Sequence, residues 1–386
     1  MNVILFDKNR ENYYPLSFTR PIADFRIGIF TIKEKWEHYY DTVSIRTEEY
    51  LSNKFPIKIK KDNLWIDARF LPSESLVTEL NSLRLGESLI SNGKIIAFRT
   101  NTFTSEGLNL VDSNASYIFI ENLSDIFLRN EKEINNDFAF LNDRESINLD
   151  KDNMNVLIGN EVFIEEGANV TCSILNSENG PIYIGKDAQI MEGSIIRGPF
   201  AMLNNSVLKM GAKIYGATTI GPYCKVGGEI NNVVFFGYSS KAHGGFLGNS
   251  IIGEWCNLGA DTNSSNLKNN YTDVKIWNYL KEGFKDTGLQ FCGLIMGDHS
   301  KCAINTMFNT GTVVGVSSNI FGSGFPRQFI PSFSWGGTSG FSVYRLTKVF
   351  EVVEKVFARR DRKFDKLEKD ILAHVYDMTK RYRNEE

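Results

Sequence analysis

From residue 158 onward the apolar positions of the chain settle into a period of six. Ile184, Ile190, Ile196, Met202, Leu208, Ile214, Ile220 and Val226 are large aliphatics in unbroken phase. Ile158, Ile164 and Val170 form an earlier run in another phase, and Ile252 and Leu258 resume the pattern after an interruption. If about a quarter of positions are large aliphatics, eight in phase arise by chance on the order of once in 10⁵. Four residues after each aliphatic stand Ala188, Ser194, Phe200, Ser206, Ala212, Thr218, Cys224 and Ile230, most of them small. The two patterns together predict a left-handed parallel β-helix over residues 158–321. Three short strands make each triangular coil, with the aliphatic filling the interior and the small residue fitting the corner. Coils stacked at ~4.8 Å then cover one another's strand edges. Gly185, Gly221, Gly227, Gly253 and Gly259 follow the aliphatic at the turn, where a positive φ or a close backbone approach favours glycine.

The interruptions are informative as well. His243–Gly248 breaks the period as a loop, Leu267–Phe291 is a longer excursion, and insertions in solenoids commonly build the site. Before residue 150 the pattern differs. Strand-like runs at Val3–Phe6, Leu64–Ile66 and Lys94–Phe98 alternate with helix-like stretches at Gly28–Tyr40 and Ser73–Leu85, which predicts an α/β layer structure. The polar run Asn142–Asn155 is the expected linker. In the tail, Tyr344–Arg383, apolar residues at Leu346, Val349, Phe350, Val353, Val356 and Phe357 have helical spacing, repeated by Leu367, Ile371, Leu372 and Val375. Two amphipathic helices are expected there, capping the open end of the coil stack or packing on a neighbouring subunit. The expected division is thus 1–150 (α/β), 151–340 (β-helix) and 341–386 (helical).

Composition narrows the function classes. A net charge of −3 gives no electrostatic reason to expect nucleic acid or an anionic membrane as partner. The N-terminal MNVILFDKNRENYY lacks the basic and apolar regions of a signal peptide, so a cytoplasmic location is expected. All five cysteines lie in the C-terminal half without a CxxC pair, which points to small core residues rather than a disulfide frame or a zinc site.

The segment Val226–Asn266, VGGEINNVVFFGYSSKAHGGFLGNSIIGEWCNLGADTNSSN, carries a resemblance. Through SKAH, FLG and IIGEWCNLGADT it resembles the acetyltransferase domain of the bifunctional N-acetylglucosamine-1-phosphate uridyltransferase/glucosamine-1-phosphate acetyltransferase family. The run YPLSFTRPIADFRIGIFTIKEKW and the layout of the whole chain resemble a related sugar nucleotidyltransferase subfamily with a shortened, Rossmann-like N-terminal domain. The resemblance implies that His243 is the general base in attack of a sugar amine on acetyl-CoA, with Asn257 and Lys275 contacting the acceptor. It also marks departures. Phe246 stands where the family has a tyrosine, Tyr215 and Asn231 occupy its phosphate-clamping arginine and lysine positions, and Asp261 replaces a glycine. Lys209, Lys213 and Lys225 are alternative phosphate holders.

For the N-terminal part the resemblance implies nucleotidyl transfer with Mg²⁺. That chemistry needs a glycine-rich loop for triphosphate, a cation on the phosphates and carboxylates for the metal. The segment after Val3–Phe6 has no glycine, so Arg20 stands in for the cation, and Asp67 and Asp125 are the candidate metal ligands. Three functions stay open: an acetyl-CoA-dependent acyltransferase on a sugar phosphate or nucleotide sugar, an active sugar-1-phosphate nucleotidyltransferase, or a non-catalytic sugar or nucleotide binder. Related β-helix enzymes are trimers. The aromatic-rich segment Ile320–Gly337 and the excursion 267–291 suit a subunit seam, so a homotrimer is expected.

Overall fold

The computed structural model describes residues 1–141, 146–147 and 154–383. Most of the linker expected at Asn142–Asn155 lies outside the described residues. The chain forms two compact units. The first comprises Met1–Tyr13, Thr19–Phe25 and Phe30–Leu123; the second comprises Tyr14–Phe18, Arg26–Ile29 and the chain from Ser124 on.

The first unit is built on a six-stranded mixed sheet. Asn2–Phe6 lies between Val43–Arg46 and Asn63–Asp67, parallel to both. Lys94–Thr100 adds to it antiparallel, followed by Glu87–Ser91 and, at the edge, Asn109–Asp112. Every residue of Asn2–Phe6 is buried, which explains why its apolar residues run consecutively rather than alternate. The helix expected within Ser73–Leu85 spans Glu74–Ser82, with the Ser73 hydroxyl accepting from the Leu76 N–H at 3.2 Å. The one expected within Gly28–Tyr40 is shorter, Ile32–Glu37, because a capping box of Thr31 and Glu34 sets its start.

The second unit is the parallel β-helix that the six-residue period predicts. Its first face stacks Val162–Ile164, Ile182–Ile184, Phe200–Met202 and Thr218–Ile220, each parallel to the next. A second face runs from Asn169–Val170 through Gln189–Ile190, Val207–Leu208 and Lys225–Val226 to Asn319–Ile320 and beyond. The third carries Ile174–Asn176, Ile195–Arg197 and Lys213–Tyr215. All eight aliphatics of the main run lie inside, and so do all eight residues at the four-residue offset. Cys224 is wholly buried at one of these small positions.

Four details differ from the sequence reading. Leu157, not Ile158, aligns with the interior positions Leu175 and Ile196, so the early run is one residue out of phase there. The loop ends before Phe246, where a nine-residue strand, Phe246–Glu254, begins. Within the excursion, Lys275–Asn278 and Gly283–Asp286 form an antiparallel hairpin. Finally, the coils continue past Phe321 to Phe329–Ile330 and Ser334–Gly337.

The corner glycines are needed for proximity and not for φ. A Cβ on Gly221 would fall 2.1 Å from the Phe236 carbonyl oxygen, and one on Gly259 would fall 2.4 Å from the Ala303 carbonyl carbon. The left-handed φ values sit two residues further on, at Tyr223 (58°), Trp255 (61°) and Asp261 (53°). Tyr223, Tyr238 and Trp255 stack in sequence, at 5.0 and 4.2 Å between ring centroids, and form an aromatic column up one corner.

Two helices close the chain, Leu346–Ala358 and Lys366–Met378. The first lies along the side of the coils rather than over an open end. Its Phe357 stacks on Trp255 at 4.2 Å, and Arg360 just beyond it donates to the Tyr223 carbonyl at 3.2 Å. No helix among the described residues is long and apolar enough to cross a membrane.

The glycine geometry yields a test. Gly221→Ala, which forces backbone of the next coil to move, should cost about 1–3 kcal/mol, read as a lowered urea midpoint. An unchanged midpoint would show that the coil spacing is slack at that corner.

Candidate functional site

The second face presents one outward residue and one inward residue per coil. Outward, Lys225, Ser240, Asn257 and Lys301 stand in register on successive strands. Inward, their neighbours are Val226, Lys241, Leu258 and Cys302. Lys241 therefore occupies an interior position, where the neighbouring coils place Val226 and Leu258, and it is only 1% exposed.

The loop that follows explains how a lysine is tolerated there. The Lys241 ammonium donates to the carbonyls of Gly227 (3.2 Å), His243 (3.2 Å), Gly244 (3.0 Å) and Gly245 (2.8 Å). Four carbonyl oxygens thus meet a group with three N–H donors, which satisfies the charge inside the coil. Burial pushes its pKa down to about 8, and the Asp261 carboxylate opposes that shift. The loop is gripped from above as well. The Phe246 N–H donates to the Asn263 side chain at 2.7 Å, and a Cβ on Gly245 would fall 2.2 Å from the Thr262 carbonyl oxygen. Lys241 thereby fixes the path of the backbone that exposes His243 to solvent.

Beside this row lies a cavity of about 380 Å³, lined by Lys225, Tyr238, Ser240, Trp255, Asn257, Lys301 and, from the first C-terminal helix and the residues after it, Val356, Arg359 and Arg360. Lys301 is half-buried and donates to the His299 carbonyl at 2.9 Å, and its burial pushes the ammonium down to about 8. Lys225 is lowered too, by burial first and then by Arg360, Lys209 and Arg359.

The structure brings only some of the residues singled out from the sequence together. Asn257 and Lys225 share the second-face cavity. Tyr215 and Asn231 are neighbours on the third face, but Asn231 lines a different cavity, of about 660 Å³, with Phe127, Asn249 and Phe291. Tyr215 donates to the Glu229 carboxylate at 2.6 Å, which raises its pKa to about 12. Phe246 packs over Gly248 at the start of its strand. Lys275 is exposed on the hairpin of the excursion.

In the first unit, Arg20 is buried and paired with Asp24 at 3.2 Å. Asp67 is fully buried, and both its oxygens are taken by Arg69 at 2.6–3.2 Å. A guanidinium thus stands where a cation would bind, and the site does not fit Mg²⁺. Asp125 opens the short helix Asp125–Leu128 of the second unit. Among the described residues no cluster of three or more His, Cys, Asp or Glu could hold a metal ion.

The sequence reading missed Lys241, Lys301, Arg359 and Arg360. Lys241 carried a signal, since it is a lysine on an inward position, but the irregular spacing between Val226 and Leu258 hid that phase. The two arginines follow a helix some hundred residues downstream, and nothing in their local pattern aims them at the second face.

Fold and site together describe an α/β unit followed by a hexapeptide-repeat β-helix with a histidine-bearing loop. Residues 3–146 match the model of the family described as sugar nucleotidyl transferase. The chain is similar, at 28% identity over 170 residues, to the bifunctional protein GlmU of Wigglesworthia glossinidia brevipalpis. That match covers 43% of this chain and 31% of the relative, so the chain spans about a third of the curated relative's length. Among solved structures, the polySia-specific acetyltransferase NeuO is similar at a TM-score of 0.27 and 16% identity, over 49% of this chain and 86% of that one. An Arabidopsis UDP-N-acetylglucosamine acyltransferase gives 0.26 and 13%, over 58% and 88%. A mutant of AntD, an N-acyltransferase from Bacillus cereus in complex with dTDP and coenzyme A, gives 0.25 and 12%, over 56% and 99%. The β-helix rests on its own strand ladders.

Lys241 makes the site's stability depend on pH in a definite direction. Because its folded pKa is about 8 against 10.5 unperturbed, the unfolded chain holds more protons between those values, so stability rises with pH across that window. The contribution is of order 3 kcal/mol. Lys241→Met should remove it, measured as the wild-type-minus-variant difference in urea midpoint from about pH 7 to about pH 10.5. Parallel profiles would show that the amine keeps its ordinary pKa.

Proposed function

We propose that this chain is an acetyl-CoA-dependent acyltransferase acting on a sugar phosphate or nucleotide sugar. The observation that carries the reading is the loop Lys241–Gly245, in which a buried ammonium holds the backbone that exposes His243. In that reaction an acceptor nitrogen or oxygen attacks the thioester carbonyl, the new C–N or C–O bond replaces C–S, and coenzyme A leaves as the thiol. His243 accepts the proton that the nucleophile sheds and returns it to the departing sulfur. Asn257 and Ser240, outward on neighbouring coils, supply neutral polar contacts to the acceptor.

The acceptor differs from glucosamine 1-phosphate in how its phosphate is held. Tyr215, at the family's arginine position, is committed to Glu229, and Asn231 brings no charge. Lys275, on the hairpin, and Phe246, beside the loop, complete the proposed acceptor side.

Nucleotidyl transfer is the second reading, favoured by the family match of residues 3–146. The Asp67–Arg69 pair counts against it, so no step is assigned to Mg²⁺, Arg20 or Asp125. We further propose that the chain works in the cytoplasm, where its five free cysteines remain reduced. A closed homotrimer would cover the exposed Phe321, Phe325 and Trp335. Light scattering should give three times the monomer mass at micromolar concentration, and a monomer would remove the inter-subunit seam.

Free-thiol release from acetyl-CoA, assayed against amino sugar 1-phosphates and nucleotide amino sugars, tests the activity. His243→Ala should lower turnover by about 10²–10⁴-fold. No turnover with any acceptor, together with no calorimetric binding of coenzyme A, would leave a non-catalytic binder.

A further inference from the structure

The second-face cavity has a charge that the His243 loop does not account for. Four cationic side chains line it, and no carboxylate does. Among the described residues none of the four, Lys225, Lys301, Arg359 or Arg360, forms an ion pair, whereas surface lysines such as Lys348 and Lys366 each have an acidic partner. Glu254, a carboxylate whose field reaches Tyr238, is not among the lining residues. Concentrating like charge in a partly desolvated space costs free energy unless an anion shares it. Burial lowers the pKa of Lys225 first, and the neighbouring cations Arg360, Lys209 and Arg359 lower it further.

Geometry narrows the class of anion. Lys225 and Lys301 are separated by three strand steps on one face, about 14 Å between backbones at ~4.8 Å a step. Cations spread over that length suit an anion that carries more than one phosphate. Between the lysines, Ser240 and Asn257 offer a hydroxyl and an amide. From the opposite wall come two guanidiniums, the groups best matched to phosphate oxygens. Arg360 is held in place through the Tyr223 carbonyl at 3.2 Å. Tyr238 lies between Tyr223 and Trp255, and Trp255 also stacks on Phe357, so these rings form a wall of the cavity.

We propose that the cavity between the second face and the first C-terminal helix is a binding site for a diphosphate group, gripped by Lys225 and Lys301 from the coils and by Arg359 and Arg360 from the helix end. Coenzyme A and nucleoside-diphosphate sugars both carry this group. The assignment concerns binding alone, and it stands or falls independently of acyl transfer.

The test is calorimetric titration of the full chain, carrying His243→Ala, with inorganic pyrophosphate. Binding is expected to weaken with added salt and to fall by about tenfold or more in each of Lys225→Met and Arg359→Ala. Lys285→Ala, on the exposed hairpin, is the control and should bind as the parent does. Competition by coenzyme A would identify the donor as the source of the diphosphate, and competition by a nucleoside-diphosphate sugar would identify the acceptor. Either result supports the site. Absence of pyrophosphate binding, or affinity equal in the parent and in both variants with unchanged thermal midpoints, would overturn it.

Discussion

Each coil of the β-helix leaves the N–H and C=O groups of its strands open above and below, and only another coil of the same dimensions can cover them. That requirement sets most of the other features. Strands must repeat in register, so the interior receives one aliphatic per strand and the corners receive small side chains. Turns must also lie flush, which is why a Cβ at Gly221 or Gly259 would collide with the coil above. Main-chain pairing confers no address of its own. The interior side chains supply it, because a slip of one residue would send Ile190, Leu208 and Val226 outward together.

Within such a regular array, departures stand out. Lys241 sits where Val226 and Leu258 set the expectation of an apolar side chain, and the loop carbonyls are arranged to receive its charge. The loop that exposes His243 is thus tied to the interior of the coil as well as to its neighbours in the chain. In the first unit the opposite has happened. The buried Asp67 is closed by Arg69, and the buried Arg20 is paired with the partly exposed Asp24. A buried carboxylate closed by a guanidinium is expensive to reopen.

The β-helix was legible from the sequence because its repeat is short and its interior demands one kind of side chain. The strand alternation of residues 1–100 was legible at the level of layers, though the helix near residue 32 could not be bounded without its cap. His243 and Asn257 were found through local resemblance, which reports neighbours along the chain. The cationic cavity was not, because its members come from residues 225, 301 and 359–360, and only coil stacking and the return of the C-terminal helix bring them together. Lys225 was noticed as a possible phosphate holder, yet a solvated coil face would have shown the same lysine.

The stacked rings of Tyr223, Tyr238 and Trp255, with Phe357 laid against the last, act as a gauge on the length of the solenoid. Coils before Tyr223 or after the last of these rings could be added or lost in related chains without disturbing the helix that reads them. A coil inserted among them would shift Trp255 away from Phe357 by one strand spacing and leave the helix out of step with its own rings. Variation in coil number should therefore concentrate toward the two ends, and the middle of the solenoid should keep a constant count.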